Sequence, residues 1–448
     1  MIRRRGLAQY GGTVTVGMWK TGRMMTLMAA LSGAALATGC SDSDFDLGQP
    51  RSCEVGDQNE WVMGVMQDVY LFADAMPTVD PLDYDDPAAL VADLRVDPDR
   101  WSRVSDAEAT TALFEEGKFI GYGFRTKRDA DGNVVVSKVH PESPAGRAGL
   151  RRGDTFRRVG GLTIAELDDT DAWSEVYGVK EPGVSVSLVV QDTSGERSVS
   201  LTKDWVQIVS VPIHDVFTVG DKRVGYLFFE TFVGPALEEL DDAFEAFNAA
   251  GVTDVVVDVR YNGGGLVSVS RHLTNLLVGG IADGAVSYHV EFNDELSDND
   301  YARNVDSVAQ TLPAVDTVVF ITTGSSLSAS ELLINSVRAH TRVEIVGGTT
   351  GGKPVGSKHF SFCDSVLAPI TFELTNADKT GGYFDGLDPS CAATDDLTAA
   401  LGSEAEASLA AALSLIDGTG CPAITPEPAD RDDPSKLELG QLELIGWH

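Results

Sequence analysis

The order of patterns along the sequence predicts an α+β protein of several domains. A helical periodicity over 57–117 is followed by short β-rich runs over 118–205. Strand and helix patterns then alternate over 206–421, which is typical of a layered α/β domain. The 448 residues are enough for two or three such domains.

The charge balance narrows the classes of function. Lys and Arg number 34 against 68 Asp and Glu, so the formal net charge is −34. Binding to nucleic acid needs a basic surface that displaces counterions from phosphates, and an anionic membrane surface also attracts cations. The composition therefore argues against both partners, and we interpret the excess of acid as a source of solubility.

The first 39 residues have the pattern of an export signal. Basic residues precede an apolar stretch over 24–38, which is shorter than the roughly 20 residues of a membrane-spanning helix. Small residues stand directly before Cys40, as in bacterial lipoprotein signals, whose cysteine is lipidated. This resemblance implies a cell-envelope protein with a lipid anchor at Cys40, on the periplasmic face. Ser41 favours the outer membrane. The alternative is ordinary secretory cleavage that leaves Cys40 free.

The remaining cysteines predict disulfides. An exported chain reaches an oxidising compartment, and an even number of cysteines fits two bridges. Sequence leaves three pairings open, and we expect Cys363–Cys391 together with Cys53–Cys421. The cysteines and histidines lack the spacing of zinc ligands, so we expect neither a metal nor a cofactor.

Outside the two larger domains, the sequence predicts simple segments. Residues 40–56 are polar and read as a tether, and 422–448 read as a flexible tail rich in Pro and charge. Within the helical region 57–117, Ser105 and Glu108 form the pattern of a capping box. The acid-rich stretch 291–300 lacks the alternating ligands of a calcium loop, which favours a solvated, mobile loop.

Two glycine-rich stretches characterise the β-rich region 118–205. Residues 143–150 read SPAGRAGL and are followed by RGD at 152–154. With the loop at 121–124, they resemble a PDZ domain of the circularly permuted bacterial form. This resemblance implies that a peptide joins a sheet edge and that backbone N–H groups of the loop receive its terminal carboxylate. The residues of this loop are Gly121, Tyr122, Gly123 and Phe124.

Ser328 stands where a buried strand is predicted to turn into a helix. A serine there is commonly only a helix cap. The same position suits a nucleophile, because free N–H groups and the helix dipole stabilise developing negative charge. The glycine loop after the strand 255–259 should lie at the same sheet edge.

The stretch 347–353 matches a phosphate loop as far as its lysine, but Pro354 follows where Ser or Thr is needed, which argues against nucleotide binding.

Three motifs together resemble the C-terminal processing peptidases, serine proteases with a Ser–Lys dyad. The family pattern is DLRxNxGG, SxSASE and TxGKxxxxQ, and this chain has DVRYNGGG, SLSASE and TGGKPVGS. The resemblance implies Ser328 as nucleophile, Lys353 as general base, and the N–H groups of Ala329 and Gly264 as oxyanion donors. It also implies a catalytic domain with the fold of crotonases and the Clp peptidase, and an inserted PDZ domain. Ser357 stands where the family has the Gln that orients the lysine, so it is a possible orienting residue here, although a serine hydroxyl reaches less far.

A lysine serves as a base only when its pKa is lowered. A free lysine titrates near 10.4, and reaching about 7 requires roughly 4–5 kcal/mol of destabilisation of the ammonium. Burial away from acids supplies this effect. Residues 347–356 contain no acid in an otherwise acidic chain, which fits a depressed pKa for Lys353.

These observations predict a serine endopeptidase that cuts exported proteins near their C-termini. Its partners would be protein substrates with accessible tails, captured by the PDZ domain, and the membrane through the lipid anchor. We do not expect nucleic acid as a partner, and the oligomeric state stays open. The alternative is a catalytically inactive PDZ adaptor on a protease scaffold, a hypothesis prompted by Ser357.

Overall fold

The computed structural model describes residues 47–422. The signal over 1–39, the predicted lipid site Cys40 and nearly all of the predicted tail lie outside the described residues. Within 47–422, every helix is too short or too polar to cross a bilayer.

The first part of the described chain is mainly helical. It consists of α1 (Val55–Val69), α2 (Pro87–Leu94), the short strand β1 (Arg103–Asp106) and α3 (Ala107–Phe114). Asp86 caps α2 through a 2.8 Å bond from the Ala89 N–H, with proline at the first helical position, as the sequence predicts.

The β-rich part contains a twisted sheet and two strands that connect it to its surroundings. Its sheet has the order β3-β4-β5-β7-β8, so β3 is an edge strand. The strands β2 and β9 enter and leave this part as an antiparallel pair. In chain order the elements are β2 (Lys118–Gly121), β3 (Phe124–Arg128), β4 (Val134–Val139), α4 (Pro144–Arg147), β5 (Thr155–Val159), β6 (Leu162–Thr163), α5 (Ile164–Thr170), α6 (Trp173–Tyr177), β7 (Ser185–Asp192), β8 (Gly195–Thr202) and β9 (Asp204–Gln207).

The last part alternates strands and helices as predicted, and adds antiparallel strands that the sequence patterns did not indicate. In chain order the elements are β10 (Ile213–Val219), β11 (Lys222–Phe228), α7 (Ala236–Ala250), β12 (Asp254–Asp258), α8 (Val267–Ala282), β13 (Val286–Phe292), β14 (Tyr301–Asn304), β15 (Thr317–Thr322), α9 (Ala329–Val337), β16 (Arg342–Gly347), β17 (Val355–Ser357), β18 (Phe360–Phe362), β19 (Ser365–Ala368), β20 (Ile370–Asn376), β21 (Cys391–Ala392) and α10 (Ala407–Asp417).

A six-stranded sheet forms the centre of this part. Its order is β10-β11-β12-β15-β16-β21, and all pairs except β10–β11 are parallel. One face packs against α7, α8 and α9, and the other packs against α10. Because both faces are covered, β12 is buried throughout, which explains the nearly continuous apolar run at 255–257.

Two smaller antiparallel sheets lie beside the central sheet. One has the order β14-β13-β20-β17, and the other has the order β1-β19-β18. The second joins β1 of the N-terminal part to a hairpin near the end of the chain, with Arg103 opposite Ala368. This pairing brings the N-terminal part beside β17, which follows Lys353 directly.

The disulfides differ from the expected pairing. Cys53 bonds Cys363 and Cys391 bonds Cys421, so the expectation of Cys363–Cys391 with Cys53–Cys421 is wrong. Sequence spacing does not reveal that α1 lies against the β18–β19 turn, which places Cys53 beside Cys363. The Cys53–Cys363 bridge joins residues 310 positions apart.

Three local expectations also need correction. Asp106, not Ser105, caps α3 by accepting the Ala109 N–H, because Ser105 is still within β1. The apolar spacing of Leu237, Leu240, Phe244 and Phe247 predicts one shared helix face, but Leu237 is 40% exposed whereas the other three are buried. The acid-rich stretch is largely exposed to solvent as expected, but it forms a 3-10 helix over Asp294–Asn299, capped by Asn293, rather than a loop.

Candidate active site

Ser328 lies between the parallel strand β15 and the helix α9, as the sequence predicts. Its backbone has φ 58° and ψ −112°, a conformation that residues with a side chain rarely adopt. Such a conformation costs on the order of 1–3 kcal/mol and persists only where the surroundings enforce it. The strain and the partial exposure of Ser328 favour a reactive role over simple capping.

The glycine loop after β12 lies against Ser328. A Cβ atom on Gly264 would lie 2.8 Å from the Ser328 Cβ and 3.0 Å from the Ala329 nitrogen. Its φ of +105° also favours glycine. Asn262 holds this loop to the start of α9, because its carbonyl accepts bonds from the Leu327 N–H at 3.1 Å and the Ser330 hydroxyl at 2.8 Å.

The two expected oxyanion donors differ in this arrangement. The Ala329 N–H is the first of α9 and has no acceptor within the helix. The Gly264 N–H instead donates to Asn262 Oδ1 at 2.9 Å. Gly264 is therefore close to the nucleophile as predicted, but its N–H is already engaged in this structure, which the sequence pattern could not reveal.

Lys353 lies in a buried environment that favours its neutral form. Burial lowers its pKa to about 7, and the nearby Arg103 guanidinium adds to this effect. The carboxylates of Asp99 and Glu331 act in the opposite direction. The ammonium nitrogen lies over the ring of Trp101, 5.9 Å from the centroid. The pKa of Lys353 is thus depressed by burial, as the acid-poor motif predicts. Residues outside the motif also change this pKa: Arg103 lowers it, and Asp99 and Glu331 raise it.

A buried carboxylate, Glu331, connects the two expected catalytic positions. Its Oε2 accepts the N–H of Ser328 at 2.9 Å and the N–H of Lys353 at 2.7 Å. Its Oε1 accepts the Gly352 N–H at 2.8 Å and the Thr350 hydroxyl at 2.5 Å. Burial raises the pKa of Glu331, and these hydrogen bonds oppose that rise. One side chain therefore fixes the backbone on both sides of the site.

These residues share one cavity of about 320 Å³. Ser328, Ala329, Gly264 and Lys353 all line it, together with apolar side chains such as Phe372. Such a cavity can admit a peptide segment next to a nucleophile and a base.

Ser357 also lines the cavity but does not have the orienting role considered for it. Its hydroxyl is buried and forms no hydrogen bond with any described residue. The lysine backbone is instead held by Glu331.

The predicted carboxylate-binding loop, Gly121–Phe124, lies at the start of the edge strand β3, and its four residues are buried. Gly123 has φ +83°, and a Cβ there would lie 2.0 Å from the Ser143 Cβ, so only glycine fits. Tyr177 of α6 packs against the aromatic residues of the loop, 6.0 Å from Tyr122 and 6.3 Å from Phe124 between ring centroids. The loop is therefore packed between the start of β3 and α6.

The sequence patterns missed several residues that shape the site. Trp101 and Arg103 come from the N-terminal part, more than 200 positions before Ser328, and no local spacing connects them with the site. Glu331 was visible as the last residue of SLSASE but was not singled out. A carboxylate three residues after a serine at a helix start could have indicated it, since it reaches back to the serine N–H.

Comparison with known families agrees with this architecture. Residues 223–390 match Peptidase family S41, 57–103 match the Peptidase S41 N-terminal domain, and 135–192 match a PDZ domain. A Bacteroides fragilis structure assigned to the S41 proteases is similar in fold, with a TM-score of 0.67 at 22% identity. It covers 80% of this chain and 97% of its own.

Curated relatives point the same way. A CtpA-like serine protease of Staphylococcus aureus is 25% identical over 290 residues, which cover 64% of this chain and 55% of that protein. The chain thus spans just over half the length of this relative. The carboxy-terminal processing protease CtpA of Bacillus subtilis is 24% identical over 338 residues, 73% of this chain and 67% of that protein. The chain therefore contains a Peptidase S41 domain, an S41 N-terminal domain and a PDZ domain, and it is similar to the carboxy-terminal processing proteases.

Proposed function

We propose that this protein cleaves peptide bonds near the C-termini of protein substrates, with Ser328 as nucleophile and Lys353 as general base. The observation that carries the proposal is the shared cavity, in which a strained serine and a lysine of depressed pKa are held by one carboxylate, Glu331. A neutral lysine takes the hydroxyl proton during attack on the carbonyl and returns it to the leaving amine.

The start of α9 stabilises the tetrahedral intermediate in this mechanism. The Ala329 N–H and the positive end of the helix dipole lie where the oxyanion develops. Gly264 contributes a second donor only if the Asn262 side chain releases its N–H. A substrate carbonyl would have to replace Asn262 Oδ1 as the acceptor of this N–H.

The rate at which a serine-reactive fluorophosphonate labels the protein should depend on Lys353 protonation. Because its pKa is about 7, the labelling rate should rise with pH and reach half its maximum near pH 7. Replacing Arg103 with Gln removes a cation that lowers this pKa, so the midpoint should move to higher pH. Labelling is measured by gel fluorescence across pH 5–10. Ser328→Ala is the control without the reactive atom, and a midpoint near pH 10 would contradict a neutral lysine.

Capture of substrate tails by the PDZ domain is part of the proposal. The edge strand β3 has an unpaired side to which an extended peptide can add, and we propose that the tail lies in a groove between β3 and α6 with its terminus at the loop Gly121–Phe124. Trp173 is half-buried on α6 and stacks on Tyr177 with 6.0 Å between centroids. An apolar tail residue would contact this aromatic surface.

Trp173→Ala should weaken this capture without changing the chemistry. We expect KM for an unfolded substrate with an apolar tail to rise about three- to tenfold, with kcat unchanged, because about 1 kcal/mol of aromatic contact is lost. The matched control is Trp205→Ala, which removes a tryptophan 36% exposed on β9. Steady-state kinetics measure both. Equal KM values for wild type and Trp173→Ala would contradict tail capture in this groove.

The cell envelope is the proposed location, with a lipid anchor at Cys40 that attaches the protein to the periplasmic face of the outer membrane. The export pattern over 1–39 supports this proposal. Radiolabelled palmitate incorporated in cells, and lost in Cys40→Ala, would test the anchor. Absence of label in the wild type would leave the alternative of secretory cleavage with a free Cys40.

A further inference from the structure

One buried cation of the cavity has no role in the dyad. Arg125, the second residue of β3, is 3% exposed and lines the same cavity as Ser328 and Lys353. Its Nη1 donates to the Tyr261 carbonyl at 2.6 Å. Its Nε is buried without any hydrogen-bond partner among residues 47–422, and none of the described carboxylates lies within ion-pair distance of its guanidinium. Burial lowers the pKa of Arg125 to about 10.

The neighbouring acid does not neutralise this charge. Glu230 also lines the cavity, but Lys138 contacts its Oε2, and His140 lies 3.2 Å from its Oε1. Burial, with repulsion from Arg125, lowers the pKa of Lys138. The Glu230 carboxylate is thus within ion-pair distance of Lys138 and His140 and not of Arg125. An uncompensated buried guanidinium is strongly unfavourable unless an anion completes its coordination.

We propose that Arg125 binds a carboxylate of the substrate inside the catalytic cavity. This inference rests on the proposed protease function and deepens it by naming a recognition element. The carboxylate is either the free C-terminus of the substrate or an acidic side chain close to the cleaved bond. Guanidinium binds carboxylate through two parallel hydrogen bonds, and among residues 47–422 only the Nη1 of Arg125 is engaged by an acceptor.

The size of the cavity sets the distance between this carboxylate and the cleaved bond. An extended peptide advances about 3.3 Å per residue, and a cavity of about 320 Å³ accommodates only a few residues. Arg125 and Ser328 line that one space. We therefore expect the preferred carboxylate within about three residues of the cleaved bond, so that the released C-terminal fragment is short.

Matched peptides test the proposal directly. A fluorogenic peptide with two residues after the cleaved bond is prepared with a free C-terminus and as the amide, and two further amides carry Glu or Gln at the last position. In one of these two pairs, we expect the wild type to cleave the peptide with the carboxylate with a kcat/KM about 10- to 100-fold higher than that for its uncharged counterpart. The pair that shows the preference identifies the source of the carboxylate.

Variants assign the preference to Arg125. Arg125→Gln should reduce the ratio to below about threefold, and Arg125→Lys should retain an intermediate ratio because it keeps the charge without the planar fork. Arg158→Gln, which removes an exposed arginine of β5, is the matched control. In Trp173→Ala the ratio should persist, whereas recognition by the PDZ groove would abolish it. If Arg125→Gln does not fold, Arg125→Lys carries the comparison.

Equal rates for both pairs in the wild type would overturn the proposal, and so would an unchanged ratio in Arg125→Gln. A binding measurement separates this failure from failure of the protease function. Calorimetry is performed with the Ser328→Ala variant and a peptide of the length of the cleavage product. The form of this peptide with the carboxylate should bind at least about tenfold more tightly than its amide. That result without cleavage by the wild type would reject the protease function and keep the site, while equal binding would reject the site.

Discussion

Ser328→Ala is expected to abolish proteolysis, with kcat/KM reduced at least ~10⁴-fold. The substitution removes the only atom proposed to attack the carbonyl, and alanine fits the same space. Lys353→Ala should cause a loss of similar size, because the hydroxyl then lacks a base in a buried site. The double variant should be no worse than either single one, since the two residues act as a unit. The measurement is cleavage of an unfolded protein with an apolar C-terminus.

Controls decide how a loss of activity is understood. Both variants should retain the fold of the wild type, which circular dichroism and the melting temperature check alongside activity. Ser325→Ala, three positions before Ser328 in the turn that precedes α9, is a matched serine control and should keep activity. Full cleavage by Ser328→Ala would reject the proposed nucleophile. Absence of both cleavage and labelling in the wild type would favour the adaptor hypothesis.

Glu331→Gln should have the second largest effect, a loss of about 10²-fold in kcat together with lower stability. The carboxylate accepts bonds from the backbone of Ser328, Gly352 and Lys353 and from the Thr350 hydroxyl. An amide has one oxygen and presents an N–H₂ group to the remaining donors. Buried donors without acceptors cost about 1–3 kcal/mol each, so the free energy of unfolding should fall by about 2–4 kcal/mol.

A pH profile distinguishes this positioning role from a general loss of packing. The Glu331 charge raises the Lys353 pKa, so its removal should lower that pKa. The acid limb of the activity of Glu331→Gln should therefore move to lower pH, opposite to the shift in Arg103→Gln. Glu344→Gln on β16 is the matched control. Glu344 has no part in the proposed site, so this variant should leave the pH profile unchanged. An unshifted limb in Glu331→Gln would contradict the electrostatic link to Lys353.

Local apolar patterns were sufficient for several of the buried elements. The strand over Val134–Val139 and the buried strand after α7 follow from such patterns, because each contains three consecutive valines. The sheets that contain β13, β17 and β18 were missed. Their strands are short or interrupted by turns, and their pairing partners are distant in sequence.

The sequence by itself determined the family resemblance, the order of the domains and the expected positions of Ser328 and Lys353, because motif residues at strand–helix turns are set by local geometry. Only the tertiary structure decided the disulfide pairing, the engagement of the Gly264 N–H and the surroundings of Lys353. Trp101 and Arg103 reach the lysine through the pairing of β1 with β19, a contact across more than 250 residues. Such contacts depend on how separate elements pack, and no periodicity within one segment contains that information.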